Sequence, residues 1–154
     1  MILTEILAPG AVKVLPKASS KKRLFCDLAG IARDVHGIDY DTAFSALQER
    51  ETLGTTGVGL GVALPHARLP DLDEVHGVFV RLEHPLDFDA MDRKPVDIVF
   101  ALFAPEGAGV AHLKALALVS RTLRDPGLCA KLRANADPAI LFTVLTEMQA
   151  SEAA

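Results

Sequence analysis

Two hydrophobic periods run along the chain, and the switches between them mark its elements. "AVKVLP" (11–16) sets Val12 and Val14 on one side and Lys13 on the other, the two-residue period of a strand. From Ser19 the period lengthens: Leu24, Leu28, Ile31 and Val35 form one helical stripe, with Ser19 or Ser20 as cap and Gly37 as stop. "DTAFSALQERETLG" (41–54) predicts a second helix, capped by Asp41 and ended by Gly54. "GVALPH" (61–66) reads as a short strand running into His66, and "GVFVRL" (77–82) as an alternating strand. "PVDIVFALFAP" (95–105) is almost uniformly apolar, the pattern of a central strand covered on both faces, and the polar "DFDAMDRKP" (87–95) connects to it.

The last third has helical spacing throughout. "GAGVAHLKALALVSRTLRDPG" (107–127) is one amphipathic helix, and "GLCAKLRAN" (127–135) a short one. "DPAILFTVLTEMQA" (137–150) has Asp137 as cap, Pro138 in the first turn and Leu141, Val144, Leu145 and Met148 facing inward. "ASEAA" (150–154) is expected to fray. The order β-α-α-β-β-β-α-α-α predicts an α/β fold: one domain over residues 1–154, a sandwich with a mixed β-sheet flanked by helices.

Composition narrows the function. A net charge of −4 and a pI near 5.7 argue against a general nucleic-acid binder. No stretch approaches the roughly 20 apolar residues of a membrane span, and the N-terminus has no cleavage pattern, so a cytoplasmic protein without membrane insertion is expected. Cys26 and Cys129 lie in apolar helical patterns and read as buried free thiols.

The candidate chemistry sits in "ERETLGTTGVGLGVALPHARLP" (49–70), where Gly54, Gly57, Gly59 and Gly61 precede His66. Such glycines serve sharp turns or close approach of backbone N–H groups to an anion. A dinucleotide fingerprint fails at Val62 and Leu64, and a P-loop fails at Leu60 and Gly61. His36, His66, His76, His84 and His112 show no metal-binding spacing, and no GxSxG elbow is present. A neutral imidazole is a good nucleophile toward phosphorus, and glycine N–H groups with Arg50 or Arg68 nearby would hold phosphoryl oxygens. On spacing alone His66 fits this role or that of a solvated or structurally bonded histidine. Arg50 likewise reads as a solvated helix charge or a site residue. His112 falls on one stripe with Leu116, Val119 and Leu123, in the first turn of its helix, which suits a core histidine or a site facing inward. His36 ends a helix, His76 and His84 read as solvated, and "KKR" (21–23) as a solvated first turn.

The stretch 49–70, together with "RLEHPLDFDAMDRKPVDIVFALFAP" (81–105) and "HLKALALVSRTLRDPGL" (112–128), resembles the enzyme IIA domains of the phosphoenolpyruvate-dependent phosphotransferase system, of the fructose/mannitol/nitrogen-regulatory type. The resemblance implies that His66 accepts a phosphoryl group from a histidine-phosphorylated carrier protein. It implies His112 and Arg50 as its active-site companions, Gly57, Gly59 and Gly61 beside the phosphate, and neither metal nor cofactor. As a lone IIA domain the chain is most like the nitrogen-regulatory type, acting on regulatory target proteins. The alternatives are a stand-alone fructose- or mannitol-class IIA serving a IIB component, and an interaction module that is not phosphorylated. The chain departs from the family at Leu60, where many members carry Asn in G-I-G-N-G, at Ala111, where an acid is common, and at Arg93 and Lys94.

Overall fold

The most apolar run of the sequence becomes the middle of the sheet. The computed structural model describes the backbone of residues 1–153 and the side chains of residues 1–147. In chain order the elements are β1 (Val12–Leu15), α1 (Lys21–His36), α2 (Tyr40–Thr52), β2 (Gly57–Gly59), β3 (Val62–Ala63), β4 (His66–Leu69), β5 (His76–Leu86), β6 (Val96–Pro105), α3 (Gly109–Leu123), α4 (Pro126–Arg133) and α5 (Pro138–Ala153). The six strands run β1-β5-β6-β3-β2, with β4 also on β6. β5 pairs antiparallel with β6, while β1 on β5 and β3 and β4 on β6 are parallel, so the sheet is mixed. Residues Ile98 to Ala104 are all 0% exposed although they alternate between faces, so β6 is covered on both sides. The expected α/β sandwich is what forms.

β3 and β4 are one strand with a break in it. Ala63 faces Val99 and His66 faces Leu102, so the register along β6 is unchanged across the gap. Pro65 occupies the gap. It has no N–H to donate, although its carbonyl still accepts from Leu102 N at 3.0 Å. His66 therefore opens a strand, where the sequence pattern had it close one.

The helix boundaries follow local capping chemistry. Ser20 accepts from Arg23 N to start α1, and Gly37 at φ 68° ends it. α2 begins earlier than expected. Asp39, not Asp41, is its cap and accepts from Thr42 N and Thr42 Oγ1 at 3.0 and 2.7 Å; Asp41 remains as a first-turn acid, and Leu53 rather than Gly54 is the C-cap. Leu141 and Leu145 of α5 are fully buried. The Met148 side chain falls outside the described residues, as does Ala154 at the end of the tail expected to fray (150–154); the helical backbone runs to Ala153. Cys129 is buried and Cys26 half-buried, both as free thiols.

The glycine-rich stretch is a hairpin. β2 and β3 pair antiparallel with Gly59 opposite Val62, leaving Leu60 and Gly61 as the two loop residues. Both have positive φ, 57° and 81°, the requirement of a type I′ turn. Gly61 has a second constraint: a Cβ there would lie 2.5 Å from an Arg133 guanidinium nitrogen and 3.1 Å from Asp97 Oδ1. Arg133 holds this corner, bonding Asp97 through Nε and Nη2 and the Leu60 carbonyl at 2.9 Å. Gly61→Ala is therefore expected to lower stability by about 2 kcal/mol or more. Leu60→Asn, which restores the side chain best suited to positive φ, is expected to raise it by about 0.5–1 kcal/mol. Urea unfolding midpoints check both, and two unchanged midpoints would contradict this account of the turn.

Candidate functional site

Three elements converge on a cleft of about 460 Å³. The last turn of α2 supplies Glu49, Arg50 and Leu53; β4 supplies His66, Ala67 and Arg68; α3 supplies His112, Leu113 and Leu116. Two residues apart on a strand, His66 and Arg68 share a face, and the Ala67 between them is buried. His112 comes in from the second sequence motif, 4% exposed, on the inward stripe predicted for it with Val119 and Leu123. The His66 and His112 rings meet edge to face, with centroids 5.4 Å apart at 68°.

Hydrogen bonds fix what each ring offers. His66 Nδ1 lies 2.8 Å from the Leu64 carbonyl, a partner that only an N–H satisfies, so Nε2 keeps its lone pair. Arg68 Nε donates to His112 Nδ1 at 3.2 Å. His112 Nε2 is buried with no partner, and an unspent buried polar group costs about 1–3 kcal/mol. Arg50 spends one donor on the Gly54 carbonyl at 3.0 Å. Burial is the main force lowering the pKa of His66; Arg50 and Arg68 push the same way, against the Leu64 bond and Glu51. Burial, then the charges of His66 and Arg68, pushes His112 down to about 4. α3 starts with no side-chain cap and no acid in its first turn, so its dipole there also disfavours an imidazolium. Both rings are thus neutral near pH 7.

The structure brings His66, His112 and Arg50 together as the sequence suggested. It does not bring the glycines. Gly57, Gly59 and Gly61 are absent from the cleft lining, and their conformations are accounted for by the hairpin and by Gly57 packing on Ala90, where a Cβ would sit 2.9 Å away. Leu60, expected beside the site, instead lines a separate cavity of about 440 Å³ with Pro85, Pro95, Pro126 and Arg133, which contains no histidine. Near His112, the first turn of α3 has no side-chain cap, a helix start whose N–H groups favour negative charge.

The sequence offers Arg68 only as an alternative to Arg50 for phosphoryl oxygens, not as a partner of His112, and it gives Glu51 no role. The strand period, which puts Arg68 on the face of His66, is the signal for the first. Glu51 carries no periodic signal. Its carboxylate accepts from Thr56 N at 2.6 Å and Thr56 Oγ1 at 2.8 Å, and Lys21 lies 3.7 Å away. Lys21 also sits over the Phe88 ring at 4.7 Å, so it is half-buried, unlike its exposed neighbours Lys22 and Arg23. His76, expected to be solvated, is half-buried. It stacks on His36 at 4.4 Å, and His36 Nε2 bonds the Gly77 carbonyl at 3.0 Å. His84 is exposed, as expected. Among the described residues no group of three or more His, Cys, Asp or Glu is placed to hold a metal ion, and no helix is long and apolar enough to cross a membrane.

Known proteins share both the sequence and this fold. Residues 5–148 match the family model of the phosphoenolpyruvate-dependent sugar phosphotransferase system, EIIA 2. A nitrogen regulatory protein of Bradyrhizobium diazoefficiens is 48% identical over 94% of this chain and 95% of its own length. A fructose-specific EIIA component of the phosphotransferase system from Haloferax volcanii is 37% identical over 71% of each chain. Among solved structures, the nitrogen regulatory protein IIA-Ntr of Neisseria meningitidis superposes with a TM-score of 0.84 at 34% identity, covering 94% of this chain and 99% of that one. The mannitol IIA of Escherichia coli has a TM-score of 0.74 at 18% identity, covering 88% of this chain and 97% of that one, which is a likeness of fold. The chain belongs to the EIIA type 2 family of the phosphoenolpyruvate-dependent sugar phosphotransferase system.

Proposed function

We propose that this chain is a regulatory IIA protein of the cytoplasm that carries a phosphoryl group on His66, received from a histidine-phosphorylated carrier protein and read by regulatory target proteins. The observation that carries the proposal is the pair of neutral rings in one cleft, with a lone pair on His66 Nε2 and an unpartnered Nε2 on His112. In the step, His66 Nε2 forms a bond to phosphorus as the donor's P–N bond breaks. The donor ring leaves as neutral imidazole when its other nitrogen carries a proton, and His66 keeps its Nδ1–H on Leu64. The positive charge thus passes to His66 with the phosphoryl group, and the Leu64 carbonyl stabilises it. His112 Nε2 and Arg50 take phosphoryl oxygens. The group comes from a phosphohistidine and not a nucleotide, so the reading needs no metal and no cofactor.

Support for the regulatory role is the identity to nitrogen regulatory proteins, 48% in Bradyrhizobium diazoefficiens and 35% in Escherichia coli. The second reading, a fructose-class IIA that passes phosphate to a IIB component, has the Haloferax volcanii relative in its favour. An unphosphorylated interaction module fits poorly, because it gives no use for two histidines on one cleft.

Incubation with phosphoenolpyruvate, enzyme I and the carrier should add one acid-labile, base-stable phosphate, detected by mass spectrometry. His66→Ala should abolish it, and a phosphate retained in that variant would sink the assignment. With carrier in excess, His112→Ala should still be labelled at His66, but about 10²–10³ times more slowly, as for loss of a preorganised oxyanion donor. His112→Gln, which keeps a donor, should lose less; wild-type rates for His112→Ala would reduce it to a packing residue.

The low pKa of His112 also has a consequence for stability. Its folded pKa of about 4 lies below the 6.5 of an unfolded histidine, so the unfolded chain binds the proton first. Stability is full above pH 6.5 and falls as the pH drops toward 4. The loss from this group is up to ~3 kcal/mol. His112→Gln should flatten that part of the stability profile in denaturant titrations, and an equally steep profile would contradict the assignment.

A further inference from the structure

We propose that Arg68 is a positioning residue for phosphoryl transfer, its Nε–H holding His112 in the ring tautomer that donates to a phosphoryl oxygen. The inference rests on the reading of His66 as acceptor and adds what prepares its partner. A neutral imidazole carries one N–H, and the partner of one nitrogen decides where it sits. An arginine Nε is always a donor. At 3.2 Å from His112 Nδ1 it demands a lone pair there, which puts the ring proton on Nε2. That nitrogen is the buried one without a partner, so the fold keeps a donor in reserve beside His66. In the other tautomer Nε2 would present a lone pair to the phosphoryl oxygens and repel them.

Choice of tautomer matters only for a neutral ring, since an imidazolium donates from both nitrogens. Burial, then His66 and Arg68 from β4, keep His112 neutral, and the uncapped start of its own helix acts the same way; the other charged groups lining the cleft are Glu49 and Arg50 from α2, of which Glu49 alone would favour a charged ring. The two-residue spacing gives the arrangement its economy. One short strand, starting at the break of Pro65, carries the nucleophile at His66 and, on the same face, the residue that orients the nucleophile's partner.

Two substitutions separate this role from that of a general positive charge. In glutamine the side-chain nitrogen follows Cδ, as Nε does in arginine, so Arg68→Gln keeps an uncharged donor at the same place in the side chain. Arg68→Lys keeps the charge but moves the nitrogen one bond further out and loses the planar fork. The readouts are the ¹⁵N shifts of the His112 ring near pH 7.5 and the rate of phosphoryl uptake from the carrier.

The wild type and Arg68→Gln should show one tautomer, protonated at Nε2, with rates within about three-fold of each other. Arg68→Lys and Arg68→Ala should show averaged tautomers and rates roughly ten- to a hundred-fold lower, the range seen when a residue orienting a histidine through its other nitrogen is lost. An Arg68→Ala ring spectrum identical to wild type overturns the proposal, as does Arg68→Lys at the wild-type rate with Arg68→Gln as slow as Arg68→Ala. If the wild type takes up no phosphate, the reading of His66 fails, while the ring spectra still decide whether Arg68 sets the tautomer.

Discussion

The hydrogen bond from His66 Nδ1–H to the Leu64 carbonyl is the constraint on which the rest of the site depends. It commits the single proton of a neutral imidazole to one side and leaves the lone pair on the other. The bond exists because the strand beside β6 is interrupted. Pro65 cannot donate to the ladder, and Leu64 lies in the gap with its N–H on the Thr56 carbonyl and its own carbonyl taken by the His66 ring. β6, buried on both faces, holds the two half-strands in one register, so the break costs no change of alignment. The same bond that aims the ring also raises its pKa, against the larger effect of burial. On the proposed reading, His66 is thus a nucleophile kept neutral by its surroundings and ready for the positive charge that phosphorylation would bring.

Around this centre the polar groups do different amounts of work. Glu51, with a side chain 8% exposed, is a charge that must be satisfied, and Thr56 and Lys21 satisfy it. With the Arg50 bond to Gly54 it ties the end of α2 to the connection that enters β2, which fixes Arg50 near the cleft. The pair Arg33–Asp34 is exposed, and Arg23–Asp27 sets an exposed arginine 3.7 Å from a half-buried aspartate; both add little. Arg133 closes the far corner of the hairpin by joining Asp97 to the Leu60 carbonyl. Gly59 and Gly61 belong to this hairpin corner, Gly57 packs on Ala90, and none of the three lines the cleft.

The sequence made the scaffold legible wherever periodicity was strong. β6, the stripe of α1 and the inward placement of His112 follow from apolar spacing, because burial of a whole face enforces that spacing. Asp39 was missed as a cap because it and Asp41 both precede a helical pattern, and only the geometry of Thr42 decides between them. β2 and β4 are short, and β4 is broken from its neighbour by a proline, so each shows at most two repeats of the strand period. His66, His112 and Arg50, which line one cleft, were singled out through motifs that resemble a family. The glycines were assigned to the phosphate because a turn and an anion cradle ask for the same residue, and sequence cannot separate the two demands. The stack of His36 on His76 joins residues forty positions apart and has no local signature.

The central claim is that the Leu64 bond leaves Nε2 of His66 as the atom that takes phosphorus. Heteronuclear NMR of the chain, labelled with ¹⁵N on its histidine rings and phosphorylated by the carrier, reads this atom directly. The account predicts ³¹P–¹⁵N coupling at Nε2 of His66, with Nδ1 still protonated and protected by the Leu64 carbonyl. Coupling at Nδ1 of His66, or at either nitrogen of His112, would contradict it.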